Sequence, residues 1–246
     1  MPENIIDNVA IVTGGTGALG SHVVEKLARE GLKVYVPSKT LAEFNSVFDR
    51  SQNTDKDDFK LRRIFSFVCD ATDENSVHEF VENVSVQERG NINYLINTVG
   101  GVSANENVID LSTETLDKMI SLNLKSAFYF TRESLKVMKI KNYGRIISIG
   151  AIAGLKPTPG RFAYSFTKAA VINLMDTISE EMKEFNVKCN TIIPSIIDTP
   201  ANREWGCEAD IKKWVKPEEI AEIIYGLISD EFSSVRQSHI KVFGSY

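Results

Sequence analysis

Tyr164 and Lys168 stand four residues apart in Phe162-Ala163-Tyr164-Ser165-Phe166-Thr167-Lys168, just before the run Ala169-Ala170-Val171-Ile172-Asn173-Leu174. Val171, Ile172, Met175, Ile178 and Met182 recur at helical spacing and place both residues on the core-facing stripe, one turn apart. An ammonium held beside a phenol favours the phenolate and lowers a pKa that is otherwise near 10, so the expected chemistry is proton exchange near neutral pH. The plain alternative is a core Tyr beside a Lys that runs its stem along apolar surface to reach water.

A second constellation lies near the start of the chain. Val9-Ala10-Ile11-Val12 is wholly apolar, as a parallel strand buried on both faces must be, and runs into Thr13-Gly14-Gly15-Thr16-Gly17-Ala18-Leu19-Gly20. An amphipathic helix through Val23, Val24, Leu27 and Ala28 follows, then a second strand, Lys33-Val34-Tyr35-Val36. In that setting Gly14, Thr16, Gly17, Ala18, Leu19 and Gly20 are candidates to bring backbone N–H groups against a pyrophosphate at a helix N-terminus. The alternative is a tight turn with no ligand. At the end of the second strand, an acid would hold a ribose 2′-hydroxyl and a cation would accept a 2′-phosphate. The chain offers Ser38-Lys39-Thr40 with no acid until Glu43, which favours NADP(H) and leaves NAD(H) possible.

Further candidates sit past other strands. Arg63 to Cys69 reads as the third strand and ends at Asp70-Ala71, where Asp70 is either an adenine contact or the cap of the next helix. Tyr94-Leu95-Ile96 is the fourth and ends in Asn97-Thr98-Val99-Gly100-Gly101. Ser112-Thr113-Glu114 caps a long helix whose stripe of Leu116, Ile120, Ala127 and Phe130 includes Asn123; that amide is a structural clip to a backbone carbonyl or part of a site. Arg145 to Ile149 is the fifth strand, followed by Gly150-Ala151 and a Pro- and Gly-containing loop. Val187 to Ile193 is the sixth, ending in Pro194-Ser195-Ile196-Ile197-Asp198-Thr199; residues 201–216 read as irregular, and 195–216 as a substrate-covering loop. Residues 45–60 read as a helix end and surface loop, and a Glu218–Ser229 helix and an Ile240–Phe243 strand complete one domain spanning 1–246.

Composition sets the bounds. The 246 residues are 43% hydrophobic with a net charge of −5, which gives no support to a nucleic-acid or membrane-surface partner. Cys69, Cys189 and Cys207 share no metal or redox spacing, so no metal is expected, and the chain reads as cytoplasmic. Met1-Pro2-Glu3-Asn4 lacks the features of a signal peptide, and no run is apolar enough to span a bilayer.

With these residues in place the chain resembles the short-chain dehydrogenase/reductase family from end to end, through Thr13–Gly20, Asp70, Asn97-Thr98-Val99-Gly100, Asn123, Tyr164/Lys168 and Pro194…Thr199. The resemblance implies an α/β, Rossmann-type, doubly wound seven-stranded parallel sheet with helices on both faces. It also implies a homodimer or homotetramer packed through the helices of Asn123 and Tyr164, and a small-molecule substrate. Tyr164 would donate a proton to the substrate while hydride leaves the nicotinamide, and Lys168 would hold the nicotinamide ribose and depress the Tyr164 pKa. Asn123 would anchor a water linking Lys168 to solvent, and Thr199 would touch the carboxamide, with Pro194 and Ile197 beside it.

The departures are informative. Ala18 replaces a glycine, a tolerable change if its φ is negative. Thr98-Val99 replaces an asparagine-rich turn, and Ser195 stands where a glycine usually follows Pro194. The serine that normally steadies the substrate carbonyl falls at Ala151, and Ser148 is badly placed to substitute. Loss of that donor should cost on the order of 10²-fold in ketone reduction. Alanine there is also found in the dihydropteridine reductase branch, whose quinonoid substrate is strongly activated. That branch is similar in Gly17–Gly20 and in Asp198-Thr199-Pro200-Ala201-Asn202-Arg203…Ala209-Asp210…Trp214, but carries an acid where Ser38 stands. Three readings follow: reductase of a small carbonyl, reductase of a quinonoid dihydropterin, or catalytically impaired nucleotide-binding regulator.

Overall fold

Seven parallel strands form a single sheet in the order β3-β2-β1-β4-β5-β6-β7. The strands are β1 Val9–Thr13, β2 Lys33–Ser38, β3 Ile64–Val68, β4 Tyr94–Asn97, β5 Gly144–Ile149, β6 Val187–Pro194 and β7 His239–Val242. The structure is a computed structural model describing residues 7–48, 62–103 and 105–245. Most of the expected 45–60 surface loop lies outside the described residues.

Alternation along each strand sends successive side chains to opposite faces, and both faces are covered. Ala10, Val12, Val34, Val36 and Ile96 pack with α1 (Gly20–Arg29), α2 (Leu41–Val47) and the late helix α10 (Pro217–Ile228). Val9, Ile11, Tyr35, Leu95 and Ile146 face the other layer. There they meet α3 (Glu74–Gln87), α5 (Ser126–Lys141) and α7 (Phe162–Glu181) through Phe80, Phe130, Met175 and Ile178. Each fully buried Val, Leu, Ile, Phe or Met among them contributes about 1.5–3 kcal/mol, so packing of the two layers fixes where the strands end.

The strand order reverses between β1 and β4, which makes a crevice beyond their C-terminal ends. Thr13 pairs with Asn97 at that point, and the loops following them lie side by side. Asn123 sits in a π-helical turn, Ile120–Lys125, between α4 (Thr113–Met119) and α5. After β5 a one-turn helix, α6 (Ile152–Leu155), packs on α7, and Gly154 fits because its Cα faces the backbone of Lys168 and Ala169.

The segment after β6 differs from the expectation of an irregular stretch. It folds into two single turns, α8 (Pro200–Arg203) and α9 (Glu208–Ile211), and returns to the body through a parallel bridge between Ile197 and Val215. Capping chemistry explains the first turn: Thr199 accepts from Asn202 N and Pro200 stands at N1.

Candidate active site

The glycine loop is shaped by close approach. Gly14 has φ 65°, and a Cβ there would meet Thr98 Oγ1 and Val99 N at 3.0 Å each. A Cβ on Gly20 would collide with the Gly14 carbonyl. Ala18 is not among the residues with left-handed backbone, so the methyl is accommodated there. The N-terminus of α1 has no side-chain cap and no acid in its first turn, which leaves its amides and its dipole directed at the crevice. Gly17 and Ala18 are exposed beside it, and Thr16 and Leu19 are partly so.

Thr13 joins this loop to the next one. Its Oγ1 accepts from Thr98 N (3.2 Å) and Val99 N (3.4 Å), and its carbonyl accepts from Thr98 Oγ1 (2.6 Å). Gly100 follows, and a Cβ on it would lie 3.0 Å from Asn123 Oδ1 and 3.1 Å from Lys168 Nζ. Asn123 accepts from Gly101 N (2.8 Å) and donates to Gly101 O (3.1 Å) and Thr167 Oγ1 (3.0 Å). Asn123 is therefore a clip, and what it clips is the loop that covers Lys168. A π turn at such a place is a common way to aim one side chain out of register with its helix.

Asn97 is turned away from the crevice. As the fourth residue of β4 it shares the face of Leu95, so its amide donates inward to Thr131 Oγ1 and Ser148 Oγ at 3.1 Å each. Its side-chain amide is thus engaged inside the fold, and its backbone is what stands at the strand end. Ser148, fully buried and donating to Met175 Sδ at 3.2 Å, is likewise no substitute for a donor at Ala151.

The end of β2 differs similarly. Ser38 is buried and its Oγ pairs with Ser66 Oγ at 2.8 Å, and Thr40 caps α2 by accepting from Glu43 N at 3.0 Å. The Ser38 hydroxyl is thus used inside the fold, whereas Thr40 is exposed with its Oγ1 engaged as the cap of α2. Lys39 remains exposed, 3.6 Å from Asp70 Oδ2. Asp70 also accepts from Thr72 N and Thr72 Oγ1, which holds its carboxyl below the usual range. The cap of α3 is Asp73, so the capping alternative for Asp70 falls away. Ala71 follows it, partly buried at the same edge.

Tyr164 and Lys168 occupy the first two turns of α7, beside the end of β5. Lys168 is buried and its Nζ donates to Ile149 O at 2.8 Å. Burial lowers its pKa to about 8. The phenol of Tyr164 is raised above its ordinary value by burial, opposed by the Arg161 guanidinium. The Lys168 ammonium donates to the Ile149 carbonyl, and burial is the larger influence on the Tyr164 phenol. Gly150 N donates to Ile192 O, and Ala151, only 7% exposed, begins α6 beside the Tyr164 helix. Pro194 is buried at the end of β6, and Ile197 and Thr199 line the loop that follows.

The buried amine has a consequence for stability. In the folded protein Lys168 loses its proton near pH 8, whereas the ordinary value is 10.5. The native state therefore binds fewer protons between those values, and stability from this group rises with pH through that window. Below it the cost of burying the ammonium is present in full. Lys168→Met should be more stable than the parent at about pH 7, by on the order of 3 kcal/mol less the loss of the bond to Ile149 O, and the gain should shrink toward pH 10. Calorimetric melts at the two pH values check this; an equal difference at both would contradict it.

A family model for short chain dehydrogenases matches residues 8–209. The chain belongs to the short-chain dehydrogenase family. It is accordingly an NAD(P)-dependent oxidoreductase. This dehydrogenase is 29% identical to an uncharacterized oxidoreductase of Staphylococcus saprophyticus, over 96% of this chain and 97% of that one. It is 27% identical to the 3-oxoacyl-[acyl-carrier-protein] reductase FabG of Thermotoga maritima, over 96% of each. Its fold is similar to that of ElxO with NADP bound (TM-score 0.87, 23% identity, 98% of this chain and 99% of that one). NAD+-bound xylitol dehydrogenase is also similar (TM-score 0.85, 22% identity, 98% and 100%).

Four contacts around the candidate site are not encoded in the motifs themselves. Thr13 ties two loops together, Gly101 receives the Asn123 clip, Arg161 acts on Tyr164, and Glu43 bonds to Thr16. Thr13 and Gly101 lie within motifs already read, and Glu43 left a local signal of its own, the Thr-x-x-Glu of a capping box at Thr40–Glu43. Among the described residues there is no metal-binding cluster and no helix long and apolar enough to cross a membrane.

Proposed function

We propose that the dehydrogenase reduces a small carbonyl-type substrate, with Tyr164 as proton donor and Lys168 as the residue that holds the nicotinamide ribose and supports Tyr164. The observation that carries this reading is the half-buried phenol of Tyr164 one helical turn from the buried amine of Lys168, whose Nζ lies against Gly100 just beyond the end of β4. A protonated phenol at neutral pH is the form a reduction needs, because the oxygen of the substrate gains charge and must receive a proton.

The chain fits a pyridine nucleotide. A bound reduced nicotinamide would supply the hydride. Gly14, Thr16, Gly17, Ala18, Leu19 and Gly20 with the amides of α1 would take the pyrophosphate, Asp70 and Ala71 the adenine, and the backbones of Asn97, Val99 and Gly100 the adjoining ribose face. Pro194, Ile197 and Thr199 would border the carboxamide. Lys168 spends one of its three donors on Ile149 O, which leaves two for ribose hydroxyls. Asn123 fixes the loop over that amine and so sets its position. NADP(H) is favoured over NAD(H) because Lys39 is the exposed cation at the end of β2.

The segment 195–216 would cover the substrate. Ala151 supports a second reading, reduction of a quinonoid dihydropterin, since that acceptor does not depend on a hydroxyl donor at this position. Phe128, Phe162 and Phe166 are exposed on α5 and α7, with Phe162 stacked on Phe166 at 5.8 Å, which supports a homodimer or homotetramer joined through these helices. A screen of reduced-cofactor oxidation with ketones, acyl thioesters and a quinonoid dihydropterin tests the proposal. Turnover with one class, absent in a Tyr164→Phe control, supports it; a rate equal in both proteins would remove Tyr164 from the chemistry.

A further inference from the structure

Glu43 is a carboxylate whose bonds reach beyond what a helix cap requires. Its Oε1 accepts from Thr16 Oγ1 of the glycine loop at 2.6 Å, across 27 residues of sequence, and its Oε2 accepts from Lys39 N at 3.2 Å. Its own backbone N–H is held by Thr40 Oγ1 at 3.0 Å, which fixes the start of α2 and with it the direction of the side chain. The acid therefore bridges the pyrophosphate loop and the end of β2. In a sheet of this topology the adenosine ribose passes between those two features, and the residues there decide between a 2′-hydroxyl and a 2′-phosphate.

The chain has no acid at Ser38, and Ser38 itself is turned into the β2–β3 pairing. Besides Asp70, which stands 3.6 Å from Lys39, two charged side chains of opposite sign are left to meet the ribose: Lys39 and Glu43. A 2′-phosphate gains from the first and is repelled by the second; a 2′-hydroxyl can donate to the carboxylate. Resting on the reading that the glycine loop holds a pyridine nucleotide, we propose that Glu43 is the specificity-determining residue that offsets Lys39 and keeps both NADPH and NADH within reach of this site.

Two adenosine fragments isolate this end of the cofactor: adenosine 2′,5′-bisphosphate and 5′-AMP, titrated calorimetrically beside NADPH and NADH. The parent protein should bind each phosphorylated and unphosphorylated pair within about tenfold of one another. Glu43→Gln, whose Oε1 can still accept from Lys39 N while its Nε2 donates to Thr16 Oγ1, removes the charge and should tighten the bisphosphate relative to 5′-AMP by on the order of tenfold. Glu43→Asp, which keeps the charge, should stay near the parent ratio, and melts of both variants report whether α2 is intact. A Glu43→Gln ratio equal to the parent's, with both fragments still binding, would reduce Glu43 to a cap and overturn the proposal while sparing the cofactor reading. Failure of the parent to bind any of the four nucleotides would overturn both.

Discussion

Tyr164→Phe is expected to lower the rate of hydride transfer on the order of 10³-fold while changing cofactor affinity less than about twofold. The ring stays, so packing at the start of α7 is kept, and among the described residues no hydrogen bond to the phenol hydroxyl is lost. What disappears is the proton that the substrate oxygen must receive as it becomes an alkoxide. Because the loss falls on the reacting step alone, kcat and kcat/KM should drop together. Single-turnover oxidation of the reduced nicotinamide reads the rate, and fluorescence titration reads the affinity. Equal single-turnover rates in the two proteins would exclude the assigned role.

Ala151→Ser carries the second large effect, in the opposite direction. A hydrogen-bond donor aimed at a developing oxyanion is worth about 10²–10³-fold, and here a methyl stands in the place of one. Ala151 precedes α6, which packs against the Tyr164 helix, so a hydroxyl added at its Cβ enters the same region as the phenol. Turnover of simple ketones should rise on the order of 10²-fold, with little gain for an acceptor that is already strongly activated. Comparing kcat/KM for a plain ketone and a quinonoid dihydropterin in the two proteins checks this. A parallel gain on both would show that the added hydroxyl acts on something other than the substrate oxygen.

The fold was readable because its strands are buried on both faces and so appear as short apolar runs, each followed by small or polar residues. Val9–Val12, Tyr94–Ile96 and Val187–Ile193 lie within strands of the sheet, and the helix of Tyr164 and Lys168 runs where its stripe required. The side chains at the strand ends were harder to read, because one residue of register decides whether a polar group faces the crevice or the core. Asn97 and Ser38 fell on the inward side and are bonded there to Ser148, Thr131 and Ser66. Strand alternation from Leu95 could have placed Asn97 correctly; nothing local marked the Ser38–Ser66 pair. The direction of Lys168 toward Ile149 O and the bond from Thr16 to Glu43 depend on groups far apart in sequence, which spacing within one helix does not encode.

Calorimetric titration with NADPH, run on the parent protein and on Gly20→Ala, decides whether the glycine loop cradles a pyridine nucleotide. A Cβ at position 20 would collide with the Gly14 carbonyl and deform the cradle, while the Tyr164 region is untouched. One saturable site per chain in the parent, weakened at least on the order of tenfold by the added methyl, is the predicted result. A parent that takes up no NADPH, or a variant that binds it equally well, would contradict the assignment of the glycine loop as the cofactor cradle.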